Sequence, residues 1–97
     1  MNDVNLIILD LSENDLTIIP SKIQYLTNLQ KLVLCNNNNI QIIPSEIKYL
    51  INLQNLNLSE NKIKIIPSEI KYLTNLQNLY LFCNKIKIIP SEIKIQI

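Results

Sequence analysis

The sequence lacks several residue types outright: its 97 residues include no glycine, histidine or tryptophan, and also no alanine or arginine. Without histidine, neither a Cys-His nucleophile nor an ordinary zinc site can be built. Without glycine, the chain has none of the glycine-rich loops with which many enzymes cradle phosphate groups. These absences exclude the most common catalytic centres, so the sequence predicts a protein that is not an enzyme and that holds no cofactor or metal.

Charge and long apolar runs are also scarce. The formal net charge is only +1, which gives no sign of a basic tail for nucleic acid. No apolar run approaches the roughly 18 residues that a membrane helix requires, and the N-terminus lacks the features of a signal peptide. We therefore expect an intracellular, cytoplasmic protein with free cysteine thiols, whose partner is neither nucleic acid nor membrane.

What the chain does contain is a repeat. The tetrapeptide Ile-Ile-Pro-Ser occurs four times, with intervals of 24, 23 and 23 residues between its prolines, which are Pro20, Pro44, Pro67 and Pro90. Each unit also opens on a leucine and continues with the same order of apolar positions. The sequence therefore predicts a single domain over residues 1–97, composed of repeats at 6–28, 29–52, 53–75 and 76–97.

The motif in these units, Leu-x-x-Leu-x-Leu-x-x-Asn-x-Leu, resembles the leucine-rich-repeat family. The tail Ile-Pro-x-x-Ile-x-x-Leu is similar to the 23-residue repeat of intracellular Ras-binding scaffolds, and the resemblance spans Leu6 to Ile93. It implies an α/β fold: a right-handed solenoid of about four repeats, with a parallel concave sheet and short helical turns on the convex side. It also implies an unidentified protein partner, such as a small GTPase or another signalling protein.

The residues themselves favour the same architecture. In the first unit Leu9 and Leu11 alternate with outward positions, as in a short strand with one buried face. The stretch Pro-Ser-Glu-Ile-Lys-Tyr-Leu begins with a residue suited to a helix start and has Glu in the favourable first turn. Between strand and turn, an asparagine can bond backbone groups that have no ladder of their own. We expect a structural asparagine ladder formed by Asn14, Asn37, Asn61 and Asn84.

The second unit departs from the pattern, because it carries one extra residue between Asn36 and Ile40. Counting from Leu34 makes Asn37 the ladder residue, whereas counting back from Ile40 makes it Asn38. We expect a local bulge at this point.

Solenoids of this kind usually bind their partners on the concave surface. The outward positions there are mostly small or polar, and a hydrophobic residue stands out in two units. We predict that the partner-binding residues are Val33, Asn57, Tyr80 and Phe82, with the aromatic pair as the anchor. The alternative is that this pair is exposed only because it belongs to a terminal unit.

Four lysines occupy matching positions in adjacent units and predict a compact basic patch: Lys62, Lys64, Lys85 and Lys87. Such a patch is either a solvated edge or a site for an acidic partner. The absence of interleaved aromatic residues argues against nucleic acid.

Two further sets recur in register. Tyr25, Tyr49 and Tyr72 form a column that either covers the convex side with half-buried rings or serves as a binding stripe. Cys35 and Cys83 lie two repeats apart, about 10 Å at strand spacing, which exceeds the roughly 7 Å limit for a disulfide. We expect both to be free and without catalytic function.

The leading functional hypothesis is a non-catalytic protein-interaction module, such as an adaptor, scaffold or decoy, that binds through the concave face. The alternative is a truncated or degenerate repeat copy with no independent role and a tendency to associate end to end. Charge would direct such head-to-tail association, because residues 1–48 have a net charge of −2 and residues 49–97 a net charge of +3.

Overall fold

The computed structural model describes residues 3–90. Short strands and 3₁₀ helices alternate along this part of the chain. The strands are β1 (Ile8–Asp10), β2 (Lys31–Val33), β3 (Asn55–Asn57) and β4 (Asn78–Tyr80). The 3₁₀ helices span Ser21–Tyr25, Ser45–Tyr49 and Ser68–Tyr72. Each predicted repeat thus contributes one strand, and each of the first three is followed by one helical turn.

The four strands form one parallel sheet in the order β1-β2-β3-β4. Its register pairs Leu9 with Leu32, Leu32 with Leu56, and Leu56 with Leu79. The central leucines therefore stack in a single inward column, since neighbouring residues of a strand point to opposite sides of the sheet. The solenoid of about four repeats that the sequence predicts is confirmed.

The helical turns are 3₁₀ rather than α-helical. In the first, the Ile23 amide donates to the Pro20 carbonyl over 3.2 Å, and the Leu26 amide donates to the Ile23 carbonyl over 2.9 Å. Pro20 precedes the helix in an extended conformation, which suits a residue without an amide hydrogen. The 3₁₀ form is tighter than the α-helix and is used in short pieces, so five residues turn the chain back towards the sheet.

The core lies between the sheet and the layer of 3₁₀ helices. It consists of the inward leucine and isoleucine columns. The two inner units are well enclosed, and in the third unit Leu53, Leu56, Leu58 and Ile63 are at 0 % exposure. The corresponding residues of the first unit, such as Leu9 and Leu11, are only partly buried and pack against the core from its margin. Burial therefore depends on a unit's neighbours as well as on its own sequence.

The extra residue of the second unit lies outside the strands. Three positions separate Asn37 from Ile40, compared with two between Asn61 and Ile63. Asn38 takes up the difference in a left-handed conformation with φ of 70°, which asparagine adopts more readily than most residues. The insertion thus bulges outward and leaves the β2–β3 register intact.

None of the helices within residues 3–90 has the length and apolar character needed to cross a bilayer.

Candidate functional site

Asparagine side chains tie each unit to the one before it. The Asn37 amide donates to the Leu11 and Leu34 carbonyls, and its Oδ1 accepts from the Asn14 and Leu16 amides. The extra residue therefore leaves Asn37, rather than the exposed Asn38, in contact with the first unit. These bonds satisfy backbone groups just beyond the ends of the strands.

Asn61 and Asn84 repeat this arrangement. The Asn61 amide donates to the Leu34 and Leu58 carbonyls, both over 3.1 Å, and its Oδ1 accepts from the Ile40 amide over 3.3 Å. The Asn84 amide likewise donates to the Leu58 and Leu81 carbonyls, and its Oδ1 accepts from the Ile63 amide. Asn14 differs, because it is exposed and, within residues 3–90, its side chain donates only to the Ser12 carbonyl of its own unit.

The residue before each of these asparagines is in the left-handed region, with φ between 56° and 58°: Glu13, Asn36, Glu60 and Cys83. In a continuous strand, successive side chains point to opposite faces, so a residue three positions after an inward leucine would point outward. The left-handed residue reverses this and turns the asparagine towards the core. Since the chain has no glycine, glutamate and cysteine occupy positions where a side chain costs roughly 1 kcal/mol or more.

The sheet face, by which we mean the outward side of β1–β4, carries most of the predicted binding residues. The register aligns Val33 with Asn57 and Asn57 with Tyr80, so these three side chains form one row across the sheet. They line a shallow depression of about 300 Å³ that also includes Asp10 and Lys31. Phe82 is not part of this lining. It lies two residues beyond Tyr80, on the same side by strand alternation.

The two aromatic side chains of the sheet face are exposed, at 41 % for Tyr80 and 60 % for Phe82. Val33 and Asn57 are half-buried. The face thus combines the aromatic rings near β4 with exposed Ile8 on β1 and the charges of Asp10 and Lys31.

Side chains of the sheet face are held by local hydrogen bonds. The Ser12 amide donates to the Asp10 carboxylate over 3.0 Å, and the Ser59 amide donates to the Asn57 Oδ1 over 3.1 Å. The bonds from Ser12, with a smaller contribution from Lys31, hold the pKa of Asp10 below its usual value. Asp10 is therefore a fixed negative charge at neutral pH.

The cysteines lie beside the sheet face in different positions of the repeat. Cys35 is half-buried, and its Sγ lies 3.2 Å from the Ser12 Oγ, whereas Cys83 is exposed. Both are free thiols. Ser59, which matches Cys35 in the third unit, is buried, and its hydroxyl has no hydrogen-bond partner within residues 3–90.

The tyrosine column lies on the side opposite the sheet, and its rings are about half exposed or more, from 47 % at Tyr49 to 63 % at Tyr25. Two rings already contact a cation of their own helix. The ammonium groups of Lys48 and Lys71 each lie 5.3 Å from the ring centre of the next residue, Tyr49 and Tyr72 respectively. These contacts give the rings an intramolecular partner and favour a covering function.

The four predicted lysines are all exposed, but they do not share one environment. Lys62 donates to the Asn39 side chain over 3.2 Å. Lys64, Lys85 and Lys87 instead line a depression of about 660 Å³ together with Ile65 and Ile88 and their neighbours. The basic patch is therefore continuous with an apolar surface.

Sequence reasoning missed that apolar surface. The first isoleucine of each Ile-Ile-Pro motif is highly exposed, from 68 % to 77 %, at Ile18, Ile42, Ile65 and Ile88. The signal was present, because two adjacent residues of an extended segment cannot both face the core.

Comparison with known proteins agrees with the repeat geometry. The sequence profile described as "Leucine rich repeat" matches residues 27–86, and the profile "Leucine Rich repeats (2 copies)" matches residues 4–49. The chain belongs to the leucine-rich-repeat family. This family generally provides a non-enzymatic fold for protein interaction. None of the curated proteins matches the chain.

Solved leucine-rich-repeat structures share the fold. One is a leucine-rich-repeat protein of Leptospira interrogans, with 45 % identity and a TM-score of 0.80 over 87 % of this chain and 21 % of that one. Another is a TDR receptor, with 34 % identity and a TM-score of 0.76 over 84 % of this chain and 14 % of that one.

The functional domain of InlJ from Listeria monocytogenes, described as including a cysteine ladder, has 24 % identity and a TM-score of 0.73 over 84 % of this chain and 17 % of that one. At this identity the likeness concerns the fold alone. This chain thus spans about a fifth or less of the length of each of the three proteins.

Proposed function

We propose that the chain is a non-catalytic interaction module that binds a partner protein through its sheet face. The observation that carries the proposal is the exposure of Tyr80 and Phe82 beside a depression whose far end holds Asp10 and Lys31. Aromatic side chains on a rigid support are the usual anchors of protein interfaces, because they bury a large area with little loss of side-chain entropy.

The rest of the face supports such an anchor. Val33 and Asn57 stand in the same row as Tyr80, and Asn57 is held by the Ser59 amide. The partner would meet the two aromatic rings near β4 and, across β1 and β2, the negative charge of Asp10 and the positive charge of Lys31. By resemblance to Ras-binding scaffolds, the first partner class to try is a small GTPase or another signalling protein, in an intracellular setting.

The direct test compares two double variants in capture from a lysate of the native cell. Tyr80→Ala/Phe82→Ala removes the proposed anchor, and Tyr25→Ala/Tyr72→Ala removes two exposed aromatic rings from the opposite side. We expect the first variant to lose specific partners that the second retains. Partners that survive both changes, or disappear equally with both, would exclude the sheet face as the binding surface.

A purified partner would then be titrated against both variants. Truncating two anchors should weaken the affinity by about tenfold or more. Small GTPases would be tried in their GDP-bound and GTP-bound states, and binding of neither state would remove this partner class. Circular dichroism of each variant checks that the repeat remains folded.

Association between copies of the chain is the alternative, and charge favours it. Residues 1–48 carry a net charge of −2 and residues 49–97 a net charge of +3. Val4, Ile7 and Ile8 are also exposed before and at the start of β1, at one edge of the sheet. Such a head-to-tail contact is heterologous and does not need to close into a ring.

Analytical ultracentrifugation separates this alternative from a single-copy module. Association should rise with protein concentration and strengthen at low salt, where the Debye length reaches about 30 Å at 0.01 M. Lys85→Glu/Lys87→Glu should weaken it by removing positive charge from the basic half. A monomer at every salt and protein concentration would exclude association, and association without any captured partner would favour a repeat copy with no independent role.

A further inference from the structure

A column of isoleucines faces solvent along one flank of the solenoid. Ile42, Ile65 and Ile88 are exposed by 72 %, 73 % and 77 %, although the next residue in the chain is buried in two of the three units. The family pattern leaves this position open, so nothing in the repeat itself requires a large apolar residue there. Large apolar side chains repeated on a surface mark an interaction site more often than isolated ones do.

Two depressions lie beside this column and share residues. One, of about 660 Å³, lies between the third and fourth units and is lined by Lys64, Ile65 and Ile88 among others. The other, of about 340 Å³, lies between the second and third units and includes Ile42, Lys64 and Ile65. Because Lys64 and Ile65 belong to both, the depressions form one continuous surface, which we call the flank groove.

The flank groove is basic as well as apolar. Its lining includes Lys64, Lys85 and Lys87 and no acidic residue. No ion pair within 4 Å forms anywhere in the part of the chain that the structure describes. The three ammonium groups are exposed, so their charge is available to a ligand. None of the lining residues is aromatic, which removes the stacking platform that single-stranded nucleic acid uses.

We propose that the flank groove binds an acidic segment of a partner protein, in which large apolar side chains stand beside aspartate or glutamate. Apolar side chains of this segment fill the depressions on either side of Ile65, and its carboxylates pair with Lys64, Lys85 and Lys87. The flank groove shares no lining residue with the depression of the sheet face. The two surfaces can therefore bind different segments, and this site is independent of the proposed function of the sheet face.

The probe for this site is a fluorescent synthetic peptide built from leucine and glutamate. Two matched peptides replace glutamate with lysine or leucine with serine, and fluorescence anisotropy follows their binding to the full chain. We expect the leucine-glutamate peptide to bind, more weakly as salt rises, and the other two to bind at least about tenfold less tightly. Failure of the leucine-glutamate peptide to bind, or equal binding of the leucine-lysine peptide, would overturn the proposal.

Matched variants locate the binding surface. Ile65→Ser should weaken peptide binding by about tenfold, whereas Ile18→Ser, at the same repeat position outside the flank groove, should have no effect. Lys64→Gln/Lys87→Gln should weaken binding and flatten its salt dependence, whereas Lys22→Gln/Lys71→Gln should not. These side chains are all exposed, so thermal melts should match those of the unchanged protein. Equal loss in a variant and its control would place the peptide elsewhere.

An anionic membrane could attract the same combination of isoleucine and lysine. Vesicles of phosphatidylcholine with phosphatidylserine provide this comparison in a sedimentation assay. We expect no Ile65-dependent binding to the vesicles, because the depressions on either side of Ile65 suit separate inserted side chains rather than a flat surface. Vesicle binding that Ile65→Ser abolishes, without binding of the peptide, would assign the surface to membranes and contradict the proposal.

Discussion

The first and third units have the same repeat sequence pattern but different environments. In the third unit Leu56, Leu58 and Ile63 are fully buried, and a neighbouring unit packs on either side of them. In the first unit the equivalent Leu9, Leu11 and Leu16 are only partly buried. The comparison teaches that the repeat pattern determines the path of the chain, whereas neighbouring units determine how much stability each residue contributes.

The largest difference between these units should come from the central leucine of the strand. Leu56→Ala leaves a cavity in a fully enclosed position and should lower the free energy of unfolding by about 2–5 kcal/mol. Leu9→Ala, in the same register column, should lower it by only about 1–2 kcal/mol, because its site can relax towards solvent. Urea denaturation of both variants measures the difference. Similar losses would contradict the dependence on neighbours.

The asparagine ladder offers a smaller difference of the same kind. Asn61 is buried and bonds backbone groups of two units, so Asn61→Ala should destabilise by about 1–3 kcal/mol through stranded polar groups. Asn14 donates only to Ser12, so Asn14→Ala should cost less than about 1 kcal/mol. Equal shifts in the urea midpoint would mean that the bonds between units contribute little.

Much of this architecture could be predicted from the sequence because the repeat supplies the same information four times. The strand leucines follow from periodicity, and the four-repeat solenoid follows from the resemblance of the repeat to the leucine-rich-repeat family. The sequence did not predict that the helical turns are 3₁₀. It also did not predict the left-handed residues, since no glycine marks those positions. Exposure of Ile65 was missed because its residue type favours the core, and only the direction of the chain through Ile66 and Pro67 reveals which of the paired isoleucines faces out.

The left-handed residues should give a still smaller effect, of opposite sign. Glu60 has φ of 57°, so Glu60→Gly should stabilise the third unit by about 0.5–1 kcal/mol, because the relief of strain exceeds the added entropy of the unfolded chain. Asn36, with φ of 58°, already tolerates this region, so Asn36→Gly should change stability little. Thermal melts of the two variants compare them. A destabilised Glu60→Gly variant would show that the glutamate side chain contributes more than its backbone conformation costs.

The smallest expected effect is a difference in pH dependence between Asp10 in the first unit and Asn57, which occupies the same position in the third unit. Both accept an amide hydrogen bond from the serine two residues later, but only Asp10 titrates. The pKa of Asp10 is lowered in the folded chain. Its contribution to folding stability is therefore fully present above the pKa of the unfolded chain, about 3.9, and is lost as the pH falls through the pKa of the folded chain. Asp10→Asn should slightly reduce the loss of stability below about pH 4. An NMR titration that finds the Asp10 pKa at or above 3.9 would contradict this assignment.

Amide hydrogen exchange across the whole chain tests most directly whether neighbours set local stability. The Leu11, Leu34 and Leu58 amides occupy the same repeat position, and each donates to a carbonyl of the next unit over 2.8 Å. Bond length therefore cannot distinguish them, whereas burial can, because Leu34 and Leu58 are fully enclosed and Leu11 is not. We predict that Leu11 exchanges faster than the other two by about an order of magnitude or more. Equal protection of all three amides would contradict the account.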